Sequence, residues 1–209
     1  MANREIRYSR FEASDFQFVI IFLLAFMNTL TSAPDRLLHK LKANNFLPYW
    51  VEDQVAARKL FFDTILPEIN PQLVSYADSI TLRSTNILDD LKLRPDIRMI
   101  DTFAPELSWE EKIERRRQSL LVDLFLTGTN AITENGELVN LDMIGNRING
   151  IVFGPKNVVL TVGINEIVKD IEAARKRIKS ISAPRNAKRH ENFTLPCQKT
   201  GYCMNCSSK

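Results

Sequence analysis

Short apolar runs alternate with segments of helical periodicity along most of this chain. The runs at residues 121–126 and 157–162 are almost wholly apolar, which is typical of strands buried on both faces of a parallel sheet. Shorter runs predict further strands at Phe46–Val51, Leu73–Tyr76 and residues 97–100. A hairpin is predicted after the first apolar run, with Asn135-Gly136 as a type I′ turn.

Capping residues and apolar positions three or four apart predict helices between these strands. One begins at Ser32 and ends before Asn44, and the next begins at Asp53 and stops at Pro67. Further helices are predicted around Leu88, after the capping box Ser108-Trp109-Glu110-Glu111, and after an Asn165 cap. The alternation predicts an α/β fold with a mostly parallel sheet flanked by helices.

The most apolar segment, residues 16–27, lies near the start of the chain. It has about a dozen residues, whereas a membrane-spanning helix needs roughly 20. We expect a buried helix or an amphipathic flap; alternatively, Met27 is the true start and residues 1–26 are an extension. The predicted organisation is an N-terminal extension or apolar helix at 1–31, an α/β domain at 32–181 and a cysteine-containing tail at 182–209.

Composition adds two asymmetries to this pattern. The chain has 209 residues and a net charge of +3, too small to indicate a nucleic-acid-binding protein. The basic run at residues 175–189 lacks interleaved aromatic residues and is expected to be a solvated helix face. All 7 Gly lie at or after residue 128 and all 3 Cys lie after residue 196, which excludes a disulfide scaffold and a Gly-rich repeat.

Two polar segments follow predicted strands: Thr127-Gly128-Thr129-Asn130 and Asp78-Ser79-Ile80-Thr81. Ligands of open α/β sheets bind beyond the carboxyl ends of the strands. Their uncharged hydroxyl and amide groups suit a phosphate, a carboxylate or a sugar hydroxyl. The alternative is a pair of tight turns whose polar groups cap their own backbone.

A third segment carries charge: Asn140-x-Asp142-x-x-Gly145-Asn146-Arg147. Arg147 has the planar donor set that binds an oxyanion bidentately, and Asp142 is expected to orient Arg147 or to act as a base. A helix that starts near Gly145 would add backbone donors. The alternative is an internal Asp–Arg pair that only fixes the loop.

Conventional catalytic groups are few. The two histidines, His39 and His190, are expected to be solvated, so no catalytic triad is indicated. An isomerase or a transferase would need a carboxylate near the crevice, and Glu134 and Glu137 are the nearby candidates.

The tail carries Cys197, Cys203 and Cys206, and the last two form a C-x2-C pair. Such a pair presents two thiolates to one metal ion, but three thiolates are an incomplete set for Zn or an iron–sulfur cluster. His190 or a partner would have to complete the set. The alternative is three free thiols, or a redox pair, in a reducing cytosol.

Residues 121–170, together with Ser182–Arg189 and the Pro196-Cys197 and Cys203-x2-Cys206 segments, resemble the LUD-domain family of lactate-utilisation proteins. The family's TGTNAIT, GELVN and GNR motifs fall on residues 127–133, 136–140 and 145–147. Two features depart from the family pattern. Asp78 stands where relatives have a small residue, which puts anion binding on that side in doubt, and relatives continue beyond the C-x2-C pair, whereas this chain stops at Lys209.

The resemblance implies a NagB/RpiA/CoA-transferase-like fold, a cytoplasmic location, and a link to the oxidation of lactate to pyruvate with iron–sulfur partner subunits. It establishes no catalytic step. We expect a small anionic metabolite in a crevice and no membrane span; a homodimer is an open alternative. The predicted ligand-binding residues are Ser79, Thr81, Thr127, Gly128, Thr129, Asn130, Asn140, Asp142, Gly145, Asn146 and Arg147. The rival hypotheses are a non-catalytic assembly subunit that docks an iron–sulfur protein, and an isomerase or transferase of the same fold.

Overall fold

A sheet of six parallel strands forms the centre of the protein. The computed structural model describes residues 17–23, 33–190 and 194–206. Its strands are β1 Gln17–Leu23, β2 Phe46–Val51, β3 Leu73–Tyr76, β4 Arg98–Ile100, β5 Leu124–Gly128, β6 Ala131–Thr133, β7 Leu138–Val139, β8 Asn157–Gly163 and β9 Ile167–Val168.

Helices connect and cover these strands. They are α1 Ala33–Ala43, α2 Gln54–Leu60, α3 Leu66–Ile69, α4 Ile80–Ser84, α5 Ile87–Lys92, α6 Trp109–Gln118, α7 Asn146–Val152, α8 Ile171–Arg177, α9 Ala183–Lys188 and α10 Pro196–Thr200. Two π-helical segments, Phe61–Ile65 and Ile178–Ser182, join α2 to α3 and α8 to α9. The predicted boundary at residues 181 and 182 therefore lies inside a continuous helical segment.

The order of the main sheet is β2-β1-β8-β5-β3-β4, and every neighbouring pair is parallel. The predicted α/β class with a mostly parallel sheet is thus confirmed. Alternate residues of each strand enter two separate cores, because side chains of a strand point to opposite faces. Val19 and Ile21 of β1 face one core, and Ile20 and Phe22 face the other.

A smaller sheet of three strands lies next to the carboxyl end of β5. Its order is β7-β6-β9, with β6 antiparallel to β7 and parallel to β9. The β6–β7 hairpin occurs where it was predicted, but the turn is not type I′. Gly136 has a φ of 90°, whereas Asn135 is not among the residues with positive φ.

The expectation of an apolar helix near the start of the chain was wrong for residues 17–23, which form β1. A run that is apolar at every position has neither helical nor alternating periodicity, so its length alone favoured a helix. In the structure this run lies between β2 and β8, where both of its faces and both of its edges are covered. The remainder of the predicted 1–31 segment lies outside the described residues.

Two helix boundaries also differ from prediction. Pro67 does not end the second helix, because the preceding π-helical segment carries the chain into α3 with Pro67 in its first turn, where a missing N–H has no consequence. The last long helix is capped by Asp170, whose carboxylate accepts the Ala173 N–H, and not by Asn165. Asn165 lies instead in the 3-10 turn that follows β8.

A chain that starts at Met27 lacks β1, and we expect it to be insoluble or unfolded. The side chains of residues 19–23 are at most 4% exposed. Each buried apolar side chain of this size contributes about 1.5–3 kcal/mol, and the five together are comparable with a whole domain's stability of about 5–15 kcal/mol. Circular dichroism and thermal unfolding measure the effect against a chain that starts at Phe16. Equal unfolding midpoints for the two chains would contradict the prediction.

Candidate functional site

The candidate site lies at the carboxyl edge of the main sheet, where β3, β5 and β8 are neighbours. Ser79 follows β3 and contacts Gly128 at the end of β5 so closely that a Cβ on Gly128 would lie 2.4 Å from the Ser79 Oγ. Ser79 Oγ accepts the Leu82 N–H at 3.1 Å and so caps α4. The structure therefore brings together the two polar segments after β3 and β5.

Asn130 connects the loops around this edge. Its backbone N–H donates to Asn140 Oδ1 at 3.1 Å, and its own Oδ1 accepts the Leu141 N–H at 2.8 Å. Its Oδ1 also accepts Arg147 Nη2 at 2.8 Å, and its carbonyl oxygen accepts Arg177 Nη1. The predicted site residues after β5 and around α7 are therefore joined through a single asparagine.

Arg147 has no carboxylate within hydrogen-bonding distance. Both of its side-chain hydrogen bonds use Nη2, to Asn130 Oδ1 and to the Leu141 carbonyl at 2.8 Å each. Burial lowers the pKa of Arg147, while the charges of Asp142, Asp78 and Glu166 act in the opposite direction. Its Nε and Nη1 make no hydrogen bond within the described residues, which leaves them available to an oxyanion.

Asp142 does not pair with the guanidinium group of Arg147, so the expected role of orienting that side chain is wrong. Its Oδ2 accepts the backbone N–H groups of Arg147 at 2.9 Å and Ile148 at 3.1 Å. The backbone donors that were expected to bind a ligand at the start of α7 are therefore occupied. Gly145, with a φ of 85°, precedes Asn146 at this helix start, and both are half-buried.

The remaining predicted residues after β5 have structural contacts. Thr127 is fully buried within the sheet, and its carbonyl oxygen accepts Thr161 Oγ1 at 3.3 Å. Thr129 is 4% exposed, and its hydroxyl lies 3.0 Å from the Ala131 carbonyl and 3.2 Å from Asn140 Oδ1. These side chains shape the loop and are not open to a ligand in this conformation.

Two arginines compensate the negative charge of Asp78, so this charge does not by itself exclude anion binding on that side of the site. Two nitrogens of Arg189 donate to its two carboxylate oxygens at 3.2 and 2.6 Å, and Arg83 Nε donates at 3.1 Å. Burial alone would raise the pKa of Asp78, but the two arginines outweigh it and hold the pKa below its usual value. Asp78 is therefore an ionised residue within an arginine cluster.

Glu166 is a candidate site residue that sequence reasoning missed. It follows β8, and its Oε2 accepts the Gly163 N–H at 2.8 Å and the Thr81 hydroxyl at 3.4 Å. Its side chain is 14% exposed. Burial raises its pKa, despite the Gly163 hydrogen bond and the charges of Arg177 and Arg147. The rule that ligands bind beyond strand ends identifies this residue when it is applied to β8 as well as to β5.

Arg177 was expected on a solvated helix face, but its side chain is only 9% exposed. Its guanidinium group donates to the carbonyls of Asn165 and Asn130 and to Ser182 Oγ. Its Nη2 lies 4.0 Å from Glu166 Oε1. The periodicity of α8 suggested a polar outer face, but the small sheet and the 3-10 turn cover that face at Arg177.

The two carboxylates that were named from the sequence lie elsewhere. Glu137 is exposed on the β6–β7 hairpin, where it accepts the Thr133 hydroxyl, and Glu134 lies at the hairpin turn. Of the two histidines, His39 is exposed on α1 and His190 is half-buried after α9. Among the glutamates of the described residues, it is Glu166 whose charge acts on Arg147.

The three cysteines are free thiols and do not form a metal-binding group. Cys197 is buried, Cys203 is half-buried with its N–H donating to the Lys179 carbonyl at 2.8 Å, and Cys206 is exposed. Among residues 17–23, 33–190 and 194–206, no three His, Cys, Asp or Glu side chains lie together as metal ligands. The donor set present here thus does not fit Zn or an iron–sulfur cluster.

Two further features concern the surroundings of the site. An open cavity of about 370 Å³ lies between β1, β2 and α7 and is lined mostly by apolar side chains, with Asn140 at its polar edge.

No helix in the described ranges has both the length and the hydrophobicity to cross a bilayer.

Fold and site together define an α/β protein with a cluster of arginine and carboxylate side chains at the carboxyl edge of a parallel sheet. The chain belongs to the LUD-domain family, whose model matches residues 35–208. The LUD domain is associated with lactate-utilisation proteins. Comparisons with curated protein sequences and with solved structures gave no significant match. The family match includes the whole candidate site and begins after β1.

The close approach of Gly128 to Ser79 generates a stability prediction. In Gly128→Ala the new Cβ lies 2.4 Å from Ser79 Oγ and 3.2 Å from the Thr161 carbonyl oxygen. We expect the free energy of unfolding to fall by about 1–3 kcal/mol, since Ser79 must leave its capping position or the strand must shift. Chemical denaturation measures this loss.

Ser79→Gly is the matched background for a double-mutant cycle, because it removes both Ser79 atoms that the new methyl group meets. Glycine costs only a few tenths of a kcal/mol at an N-cap. Gly128→Ala should therefore cost less in this background than in the wild type. Strict additivity of the two substitutions would show that the Ser79 contact is unimportant.

Proposed function

We propose that this protein binds a small organic-acid anion in the crevice and serves lactate utilisation, supporting the oxidation of lactate to pyruvate with iron–sulfur partner proteins. The observation that carries the proposal is Arg147, a half-buried guanidinium group that is held in place by neutral oxygens and has no hydrogen bond to a carboxylate among the described residues. A partly buried charge without such a partner favours a ligand that supplies one. A carboxylate ligand supplies that partner.

The surroundings of Arg147 support anion binding. Asn130 and the Leu141 carbonyl fix its Nη2, so a ligand would not have to order the side chain. Asp78 is neutralised by Arg189 and Arg83, and Asp142 is hydrogen-bonded to backbone N–H groups. Charge-assisted hydrogen bonds from arginine to a carboxylate are strong, and Nε and Nη1 of Arg147, which lie on opposite sides of the guanidinium group, can each donate one such bond.

The role in lactate utilisation rests on membership of the LUD-domain family. The iron–sulfur partners and the cytoplasmic location are part of the same proposal, and three free thiols suit a reducing compartment. An assembly subunit that docks an iron–sulfur protein is the rival function. Binding of a metabolite by the isolated protein favours the site, whereas activity only in the complex favours assembly.

Arg147→Ala should weaken lactate binding by about tenfold or more, because one charge-assisted hydrogen bond contributes about 1.5–3 kcal/mol. Isothermal titration of the purified protein with L-lactate and with pyruvate measures the effect. Arg175→Ala is the matched control, since Arg175 is exposed on α8 and pairs only with Glu172.

Denaturation of the same variants separates binding from stability. Arg147 also holds the loop through Asn130 and Leu141, so a modest loss of stability is expected in Arg147→Ala. A variant that unfolds at room temperature would support the internal, structural role. A folded variant that binds lactate as tightly as the wild type would disprove the proposed site.

Glu166 favours a second candidate function, proton transfer by an isomerase or transferase of the NagB/RpiA/CoA-transferase-like fold. Such a reaction needs a carboxylate that accepts a proton near the ligand, and burial raises the pKa of Glu166 towards that use. Thr81 and the Gly163 N–H hold its Oε2, and Arg177 lies 4.0 Å from its Oε1. The side chain is thus oriented as well as buried.

The titration of Glu166 gives a test at pH values above the ordinary titration range of a glutamate, because burial raises its pKa. Below its raised pKa Glu166 is neutral, and above it the negative charge opposes an anion at Arg147, with which Glu166 interacts electrostatically. Lactate affinity should therefore fall severalfold as the pH rises, and Glu166→Gln should bind with constant, high affinity. Glu137→Gln, on the hairpin, is the control and should keep the wild-type pH profile.

Either of two results removes the second candidate. A wild-type affinity that is constant over this range would mean that Glu166 does not change its charge there. A Glu166→Gln variant that keeps the pH dependence would assign the titration to another group. Asp78 would not be that group, because the neighbouring arginines lower its pKa below the usual value.

A further inference from the structure

Arg116 on α6 is held in an unusual environment for an arginine. The centre of its guanidinium group lies 5.4 Å from the ring of Phe103 and 5.4 Å from the ring of Trp109. Its Nε and Nη1 are buried and have no hydrogen-bond partner among the residues that the structure describes. Two aromatic rings therefore fix the cation, while its donors remain unused.

The guanidinium group lies close enough to the crevice to interact with its carboxylates. The Phe103 ring contacts two guanidinium groups, that of Arg116 and that of Arg83, whose centre lies 5.6 Å from the ring centroid. Arg83 in turn forms an ion pair with Asp78, with 3.1 Å between Nε and Oδ1. Asp142 and Asp78 attract Arg116 electrostatically, as they attract Arg147. Arg116 and Arg147 thus interact electrostatically with the same two carboxylates.

These two carboxylates do not use the free donors of Arg116. Asp78 is bonded to Arg189 and Arg83, and Asp142 is bonded to the backbone of α7. An unpaired buried donor costs about 1–3 kcal/mol. A ligand oxygen that accepts from Nε or from Nη1 would remove part of this cost, and the aromatic rings would hold the plane of the guanidinium group.

We propose that Arg116 is a second anion-binding residue of the crevice, and that the ligand is a small dianion whose two anionic groups reach Arg147 and Arg116 separately. The inference rests on the proposed function, because Arg147 holds the first group. It narrows the ligand class from organic acids in general to dicarboxylates and phosphorylated acids.

Lactate and malate are matched probes, since malate is lactate with a carboxymethyl group in place of its methyl group; 3-phosphoglycerate provides a phosphorylated acid. Wild-type protein should bind malate or 3-phosphoglycerate at least about tenfold more tightly than lactate in isothermal titration. Arg116→Met keeps an unbranched side chain between the two rings and should lose this preference, because malate and 3-phosphoglycerate lose more affinity than lactate does. Arg117→Met, an exposed position on the same helix, should leave all affinities unchanged.

The outcomes separate this inference from the proposed function. If the wild type binds lactate as tightly as both dianions, or if Arg116→Met keeps the preference, the inference is wrong and the Arg147 site stands. Equal losses for lactate and the dianions in Arg116→Met, with unchanged thermal unfolding, would make Arg116 part of a single anion site and also overturn the inference. Absence of binding by all three probes to the wild type would overturn both proposals.

Discussion

The hydrogen bonds of Asn130 are the constraint on which the arrangement of the site depends. This residue follows the last position of the buried strand β5 by two residues, so the sheet fixes where it stands. From there its N–H and its side-chain oxygen hold the loop that contains Asn140 and Leu141, and its carbonyl oxygen binds Arg177 at the end of α8. Arg147 reaches the crevice through the same side-chain oxygen. Because Asn130 is uncharged, it holds the guanidinium groups of Arg147 and Arg177 without neutralising their charges.

The charges at the carboxyl edge of the sheet are compensated unequally, and this difference determines the sign of the local net charge. Asp78 is paired with two arginines, and Glu166 lies near Arg177 with its pKa raised by burial. Arg147, in contrast, has only neutral oxygens as hydrogen-bond partners. The local surplus is therefore positive although the whole chain carries a net charge of only +3. Net charge describes the average surface, whereas binding depends on which charges remain unpaired.

Sequence reasoning predicted five of the six strands in the main sheet of the described residues and named several residues of the candidate site, for physical reasons that differ by element. Parallel strands buried on both faces are apolar throughout, which identified β5 and β8, and the position of Asn130 followed from the end of β5. The same property misled the prediction for β1, because an unbroken apolar run carries no periodicity that separates a strand from a helix. Arg177 was wrongly assigned to a solvated helix face. Helical periodicity describes the faces of α8 alone, and it does not reveal that the small sheet packs against the polar face of this helix.

The residues that were missed share one property: they lie outside the compact stretch of motifs. Motifs between residues 127 and 147 are compact because β5, the hairpin and the start of α7 follow one another along the chain. Gly150 of α7 packs so closely on Phe125 that a Cβ there would lie 2.5 Å from the ring, which fixes α7 against β5. Glu166 and Arg116, in contrast, reach the crevice from other elements after separate crossovers. A local motif therefore predicts the framework of such a site, whereas its electrostatic properties require the topology of the sheet.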